Sequence, residues 1–296
     1  MSRAAHRKPV VAVVAVVAAG SMGAAVGARL RARGATVLTS LDARSAATRQ
    51  RAQAAGMTAV SCEALARADF VLSIVPPAAA LPLAQQLATS IAASDGKPLY
   101  VDCNAVSPAT VERIGECIAT AGAPFVDAGI IGPPPRDGAA GPSFYASGRD
   151  APRFEALAGY GLKIRVLDAP IGAASALKMS YAGITKGLVA VGTAMLLAAA
   201  RAGVADALRA ELEESQMTLL SSLTHSVPGM FPKAYRWAAE MQEIAAFAGE
   251  DAAAAGIYRG AAELYARLAR DLTDGRVELE RLEAFLAALS PPSARS

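Results

Sequence analysis

The chain has 296 residues, of which 53% are apolar and 5% aromatic, and its formal net charge is +3. That length is enough for two domains with substantial cores, and the charge is too mild to mark a nucleic-acid surface. The three cysteines, Cys62, Cys103 and Cys117, lack metal-ligand spacing, and His6 and His225 stand in no ligand motif, so no metal site is expected and the thiols are expected to stay reduced in a cytoplasmic protein.

Arg3, His6, Arg7 and Lys8 precede an apolar run from Val10 to Val17, an arrangement that mimics a secretory signal. The turn Gly20-Ser21-Met22-Gly23 and the helical spacing of Val26 and Leu30 after it make a first β-strand, a tight turn and a helix the better reading. Such a turn lets backbone approach a pyrophosphate, and the N–H groups at the helix start favour the anion. The dinucleotide fingerprint is G-x-G-x-x-G, and its first position is Ala18 here, with Gly20 and Gly23 at the second and third. Alanine fits there only with a negative φ.

Ala35 to Ser40 reads as a second strand, followed by Asp42, Arg44 and Ser45 and a helix from Ala46 to Ala55. An acidic residue about 20 positions past the glycine turn suits the ribose hydroxyl of NAD, and an arginine suits the 2′-phosphate of NADP. Asp42 speaks for the first, Arg44 and Ser45 for the second. Asp42 and Ser45 also read as plain helix caps. Asp69 to Val75 is a strand stopped by Pro76-Pro77, and a helix from Ala79 to Ala92 follows. Leu99 to Asp102 is a strand with Asn104 beyond its carboxyl end, and Ser107-Pro108 opens the next helix. Phe125 to Asp127, Phe144 to Ala146 and Lys163 to Leu167 read as further strands, with Gly129 to Pro135 as a stiff loop.

Alternating strands and helices predict a doubly wound parallel sheet of the α/β class over residues 1–168. Ligands bind such sheets off the carboxyl ends of the strands. Residues 169–296 read as all-helical, with one long helix from Ala173 to Arg201, breaks near Pro228-Gly229, Gly249 and Gly275, and a disordered tail from Ser290. The apolar stretch from Gly187 to Ala200 is shorter than the ~20 residues that span a bilayer, so a buried helix and no membrane contact are expected.

The ordered segments Gly20-Ser21-Met22-Gly23, Ser73-Ile74-Val75-Pro76-Pro77, Val101-Asp102-Cys103-Asn104-Ala105-Val106-Ser107-Pro108 and Gly172-Ala173-Ala174-Ser175-Ala176-Leu177-Lys178 resemble the β-hydroxyacid dehydrogenase superfamily. That group includes 6-phosphogluconate and 3-hydroxyisobutyrate dehydrogenases. Leu38 to Ser45 and Lys233 to Trp237 look like its bacterial branch with a C-terminal domain of unassigned function. The resemblance implies a Rossmann domain, a helical domain that builds a dimer, and a nicotinamide cofactor, NADP or NAD, over Met22, Val75 and Asn104. It places the superfamily's catalytic lysine at Lys178 and the substrate near Ile131, Gly132 and Tyr181. Two positions depart from the pattern. Ile131 stands where a serine usually binds the substrate carboxylate, and Ala182 stands where an asparagine is common. Tyr181 replaces the lost hydrogen bond or is a core residue. Imine reductases, a related group of the same architecture that generally has another residue at the Lys178 position, and a non-catalytic dinucleotide-binding protein are the alternative readings.

Overall fold

The structure, a computed structural model, describes residues 11–136, 138 and 141–287. The basic N-terminal residues and the tail from Ser290 lie outside the described residues. Contacts divide the chain into two compact units, residues 1–178 and 179–296. The division falls inside a helix.

The first unit is built on one eight-stranded sheet in the order β3-β2-β1-β4-β5-β6-β7-β8. The strands are β1 (Val13–Val17), β2 (Thr36–Thr39), β3 (Thr58–Ala59), β4 (Phe70–Ser73), β5 (Leu99–Asp102), β6 (Phe125–Ile131), β7 (Ser143–Ser147) and β8 (Lys163–Val166). Between them run α1 (Ser21–Ala32), α2 (Ala46–Ala54), α3 (Cys62–Leu65), α4 (Pro77–Ala93), α5 (Pro108–Thr120) and α6 (Ala151–Phe154). The strand order reverses at β1, which pairs in parallel with both β2 and β4. Helices cover both faces, which is why β1 is apolar at every position. Val14 and Val16 join the core under Val26 and Leu30 of α1, while Ala15 and Val17 join the opposite core with Leu83 and Leu87 of α4.

The sheet is mainly parallel, as expected, with β6 and β7 as its antiparallel pair. One expectation needs correction here. Residues 129–131 are strand rather than loop: β6 runs on to Ile131, which pairs with Ser143. Partners on β7 hold Gly129 and Ile130 extended, and the turn begins only at Gly132, whose φ is +123°.

The second unit is helical in all its described elements. α7 (Ala173–Arg201) begins in the first unit and continues into the second, followed by α8 (Ala205–Ser215), α9 (Met217–Met230), α10 (Ala234–Phe247), α11 (Ala252–Asp271) and α12 (Val277–Ala287). Helix α9 passes through Pro228-Gly229, against the expected break, and the chain turns afterwards in a 3-10 segment at Phe231–Lys233. The expectation of a buried α7 also needs correction. The helix is long and apolar enough to cross a membrane by length and composition, but half of its most apolar window is buried inside the protein. Its other face is an exposed apolar stripe of Tyr181, Ile184, Leu188, Val191 and Met195, all 50–65% accessible. Their spacing alternates between three and four residues, as in the apolar repeat of a coiled coil. Around Lys186 the unit is tied by an ion pair to Glu240, a cation–π contact with Trp237 and a bond from the Tyr265 hydroxyl to the Lys186 carbonyl.

Candidate active site

The turn after β1 is closed by a bond from Gly20 N–H to the Ala18 carbonyl at 2.8 Å. Ala18 has no positive φ: among the described non-glycine residues only Ala43 and Arg276 do. Alanine is therefore compatible with the first fingerprint position. Nothing lies within 4 Å of the place a Cβ would take on Gly20, whereas one on Gly23 would stand 2.0 Å from the Ala18 carbonyl oxygen. So Gly20 opens onto free space, and Gly23 lets α1 pack on the strand end. The N-cap of α1 is Gly20 with no side-chain cap, and the first turn carries no acidic residue. The helix start, with Ser21 and Met22, is open to an anion.

The adjoining strand ends assemble beside this turn. Val75 N–H donates to Asn104 Oδ1 at 2.7 Å, and Asn104 Nδ2 donates to Ser73 Oγ and Asp102 Oδ2, each at 2.8 Å. The Asn104 amide is thus spent on fixing the Val75-Pro76 turn. Burial pushes the Asp102 carboxyl up to about 7 against two hydrogen bonds from Asn104. After β2, the Asp42 carboxylate accepts from Ser40 Oγ at 3.1 Å. Ala43 takes a left-handed conformation with φ of +53°, a strained geometry of the kind that gathers at ligand loops. Arg44 Nε is buried without a partner, and Ser45 caps α2 by accepting from Thr48 N–H. An open phosphate turn, an orphaned guanidinium nitrogen and a hydroxyl at the neighbouring strand end fit a dinucleotide, with the turn for the pyrophosphate and Asp42, Arg44 and Ser45 for the adenine ribose.

A separate network holds the start of the helix that carries Lys178. Asp127 on β6 accepts from Gly172 N–H (2.9 Å), Ser175 N–H (3.1 Å), Ser175 Oγ (2.7 Å) and Ser147 Oγ (3.0 Å). Ser147 Oγ in turn accepts from Ala174 N–H at 3.0 Å. A strand carboxylate thereby caps the orphan donors at the start of α7. Burial raises the Asp127 carboxyl and these donors oppose the rise. All the groups facing its oxygens donate, so we take it as ionised. One turn on, Lys178 packs its stem on Gly129, where an added Cβ would lie 3.1 Å from the lysine Cβ and 2.9 Å from the Ala174 carbonyl. Burial pulls the Lys178 ammonium down to about 8.

The structure thus gathers Gly20 to Gly23, Asp42 to Ser45, Val75-Pro76 and Asn104 along the carboxyl edge of the parallel strands. Ile131 and Gly132 follow Gly129 at the end of β6. Tyr181 lies on α7 past the division between the units and is 50% accessible, which removes the reading as a core tyrosine. Residue types and spacing gave no sign of Arg51, which braces the phosphate turn by donating from Nε to the Ala19 carbonyl at 3.1 Å. In the sequence Asp127 reads as the end of a strand and Ser175 as part of the Gly172 to Lys178 segment, and only the fold shows them paired.

An eight-stranded, mainly parallel sheet with an open phosphate turn at its switch point is the architecture of a dinucleotide-binding Rossmann-type domain. Residues 13–159 match the NAD binding domain of 6-phosphogluconate dehydrogenase, and residues 199–268 match a domain of unknown function, DUF1932. The chain belongs to the family in which these two domains are joined. The conserved protein MTH1747, of unknown function and described as structurally similar to 3-hydroxyacid dehydrogenases, is 32% identical, with 90% of this chain and 98% of that one covered and a TM-score of 0.64. The fold is shared with 3-hydroxyisobutyrate dehydrogenase from Mycobacterium tuberculosis (19% identical, 95% and 100% covered, TM-score 0.66). It is shared too with an imine reductase from Myxococcus stipitatus solved with NAD+ (20% identical, 93% and 99% covered, TM-score 0.55). The first unit binds NAD(P).

Proposed function

We propose that the protein is an NADP-linked dehydrogenase or reductase acting on a CH–OH or C=O group of a small organic substrate, with Lys178 as general acid and base. The observation that carries this reading is Lys178 itself: a lysine held one turn after a buried carboxylate clamp and brought by burial to about 8. Lys178 is half-buried, and a lysine tuned towards neutrality suits proton transfer at physiological pH.

A nicotinamide held at the strand ends would supply the hydride acceptor or donor. Lys178 Nζ does the proton work. As the amine it takes the hydroxyl proton while the alcohol is oxidised, and as the ammonium it returns a proton to the oxygen in reduction. Asp127 holds the helix start that carries this lysine. Ile131 offers no hydroxyl to a substrate carboxylate, which supports a substrate other than a simple 3-hydroxy acid. The same residue favours a second reading, an imine reductase, whose C=N substrate needs a proton donor and no carboxylate anchor. Arg44 and Ser45 support NADP over NAD, since Arg44 Nε has no protein partner. A homodimer through the exposed stripe of α7 and a cytoplasmic location complete the proposal.

Fluorescence titrations with NADPH and NADH, followed by an alcohol, ketone and cyclic imine panel, test it. Tight NADPH binding with turnover of an alcohol or ketone is the expected result. Turnover of imines alone moves the assignment to the second reading. Binding without any turnover across the panel overturns the enzymatic role and leaves a dinucleotide-binding protein.

A further inference from the structure

Arg51 lies two turns past Ser45, in the last turn of α2, and bridges two parts of the cofactor edge. Its Nε donates to the Ala19 carbonyl in the phosphate turn at 3.1 Å, and its Nη2 donates to Thr48 Oγ1 at 3.0 Å. Thr48 Oγ1 lies 3.1 Å from Ser45 Oγ, and Thr48 N–H donates to that same oxygen at 3.3 Å. A guanidinium only donates, so Thr48 Oγ1 accepts from Arg51 and has its own hydrogen to give. Either hydroxyl of the 3.1 Å pair is able to donate, and the direction that we assign is donation from Thr48 Oγ1, already an acceptor from Arg51, to Ser45 Oγ. In that direction the Ser45 oxygen is filled twice by Thr48, and the Ser45 hydroxyl hydrogen is left for an acceptor outside the network. That hydrogen belongs to the residue next to Arg44, with its unpartnered Nε.

We infer that Arg51 and Thr48 are positioning residues that polarise Ser45 into a donor towards the 2′-phosphate of NADP, and that Arg51 at the same time ties α2 to the pyrophosphate turn. The inference rests on the proposed preference for NADP. A helix cap needs only the Ser45 oxygen and the Thr48 N–H, so the two hydroxyl hydrogens and the arginine are not explained by capping. Charge-assisted donation from Arg51 strengthens the chain at its start. One guanidinium reaching both Thr48 and Ala19 links recognition of the 2′-phosphate to the shape of the turn.

The test is equilibrium binding of NADPH and NADH by fluorescence to wild type, Thr48→Val, Arg51→Met and Arg51→Lys, with melting temperatures recorded for each. Thr48→Val keeps the backbone cap and removes the relay together with the acceptor of Arg51 Nη2, leaving the bond from Arg51 to Ala19 in place. It is expected to weaken NADPH about 5- to 10-fold, the scale of one hydrogen bond, and to leave NADH within about twofold. Arg51→Met is expected to weaken both cofactors, and NADPH the more. Arg51→Lys keeps the charge, but its single ammonium lacks the fork that reaches both partners, so it is expected to behave like Arg51→Met. A wild type that prefers NADH overturns the NADP reading and the relay with it. A wild type that prefers NADPH, with the same preference in Thr48→Val, overturns the relay alone. Full rescue by Arg51→Lys overturns the bridging role. Should Arg51→Met fail to fold, the comparison of Thr48→Val with wild type still decides the relay.

Discussion

Ser175 Oγ donates to Asp127 Oδ1 at 2.7 Å, joining the first turn of α7 to the middle of β6. With the bonds from Gly172, Ser147 and the Ser175 N–H, this pair turns one carboxylate into the N-terminal cap of the helix that carries Lys178. Asp127→Ala leaves four buried donors unmatched and is expected to cost about 3–5 kcal/mol. Asp127→Asn keeps one carbonyl oxygen, and Ser175 Oγ is able to reverse and accept from the new amide, so a loss of only about 1–2 kcal/mol is expected. Urea unfolding checks both values, and kcat should fall in the same order because Lys178 loses its anchor.

Lys178→Met is expected to leave cofactor affinity within about twofold and to lower turnover roughly 10²- to 10⁴-fold, the contribution of a positioned acid or base. Titration and initial-rate assays on one preparation separate the two effects. The substitution should also raise the melting temperature at pH 7. A lysine whose folded-state pKa is depressed opposes folding wherever it must be charged, so its penalty is full below about 8 and fades as pH rises towards the ordinary lysine value of 10.5.

The same depression sets the pH profile of the reaction. Oxidation needs the amine and reduction needs the ammonium. kcat/KM for alcohol oxidation should therefore rise with pH and level off above about 8, while that for reduction should fall over the same range. Paired profiles in the two directions check this. A flat pair would remove Lys178 from proton transfer.

Gly23→Ala places a methyl group 2.0 Å from the Ala18 carbonyl oxygen. Since the obstacle is backbone at a strand end, α1 has to shift. A loss of about 1–3 kcal/mol is expected, together with loss of NADPH binding. Thermal melts and the fluorescence titration measure them separately. Gly20→Ala meets no protein atom and should leave stability unchanged while weakening the cofactor.

If the α7 stripe is the dimer seam, Leu188→Glu puts a charge in its centre. Sedimentation should then show monomers where wild type sediments as dimers, with the melting temperature of the first unit unchanged.

Much of the sheet was legible because its signals are local. The β1 run, the turn at Gly20 to Gly23, the caps Ser45 and Ser107 and the start and end of α7 depend on residues a few positions apart. The end of β6 was not, because Gly129 and the prolines after Gly132 have loop character and only pairing with β7 makes the segment extended. The exposed stripe of α7 is as apolar as its buried face, so composition could not tell one from the other. Arg51 meets Ala19 from 32 positions away, and a bond between a surface arginine and a backbone carbonyl leaves no mark in residue type. Asp127 was visible as a residue but its role as a cap was not, since a cap normally adjoins its helix.

Helix α7 also has a consequence for modularity. The two compact units meet at Lys178 and Met179 without any linker, inside 29 residues of continuous helix. A protease finds no loop there to nick, and a genetic exchange of one half for another has no neutral splice point. Adding or deleting a single residue after Lys178 turns everything downstream by about 100°, carrying Ile184 and Leu188 off their face. A chimera that joins one half to another therefore has to keep the helical phase of α7 at its junction.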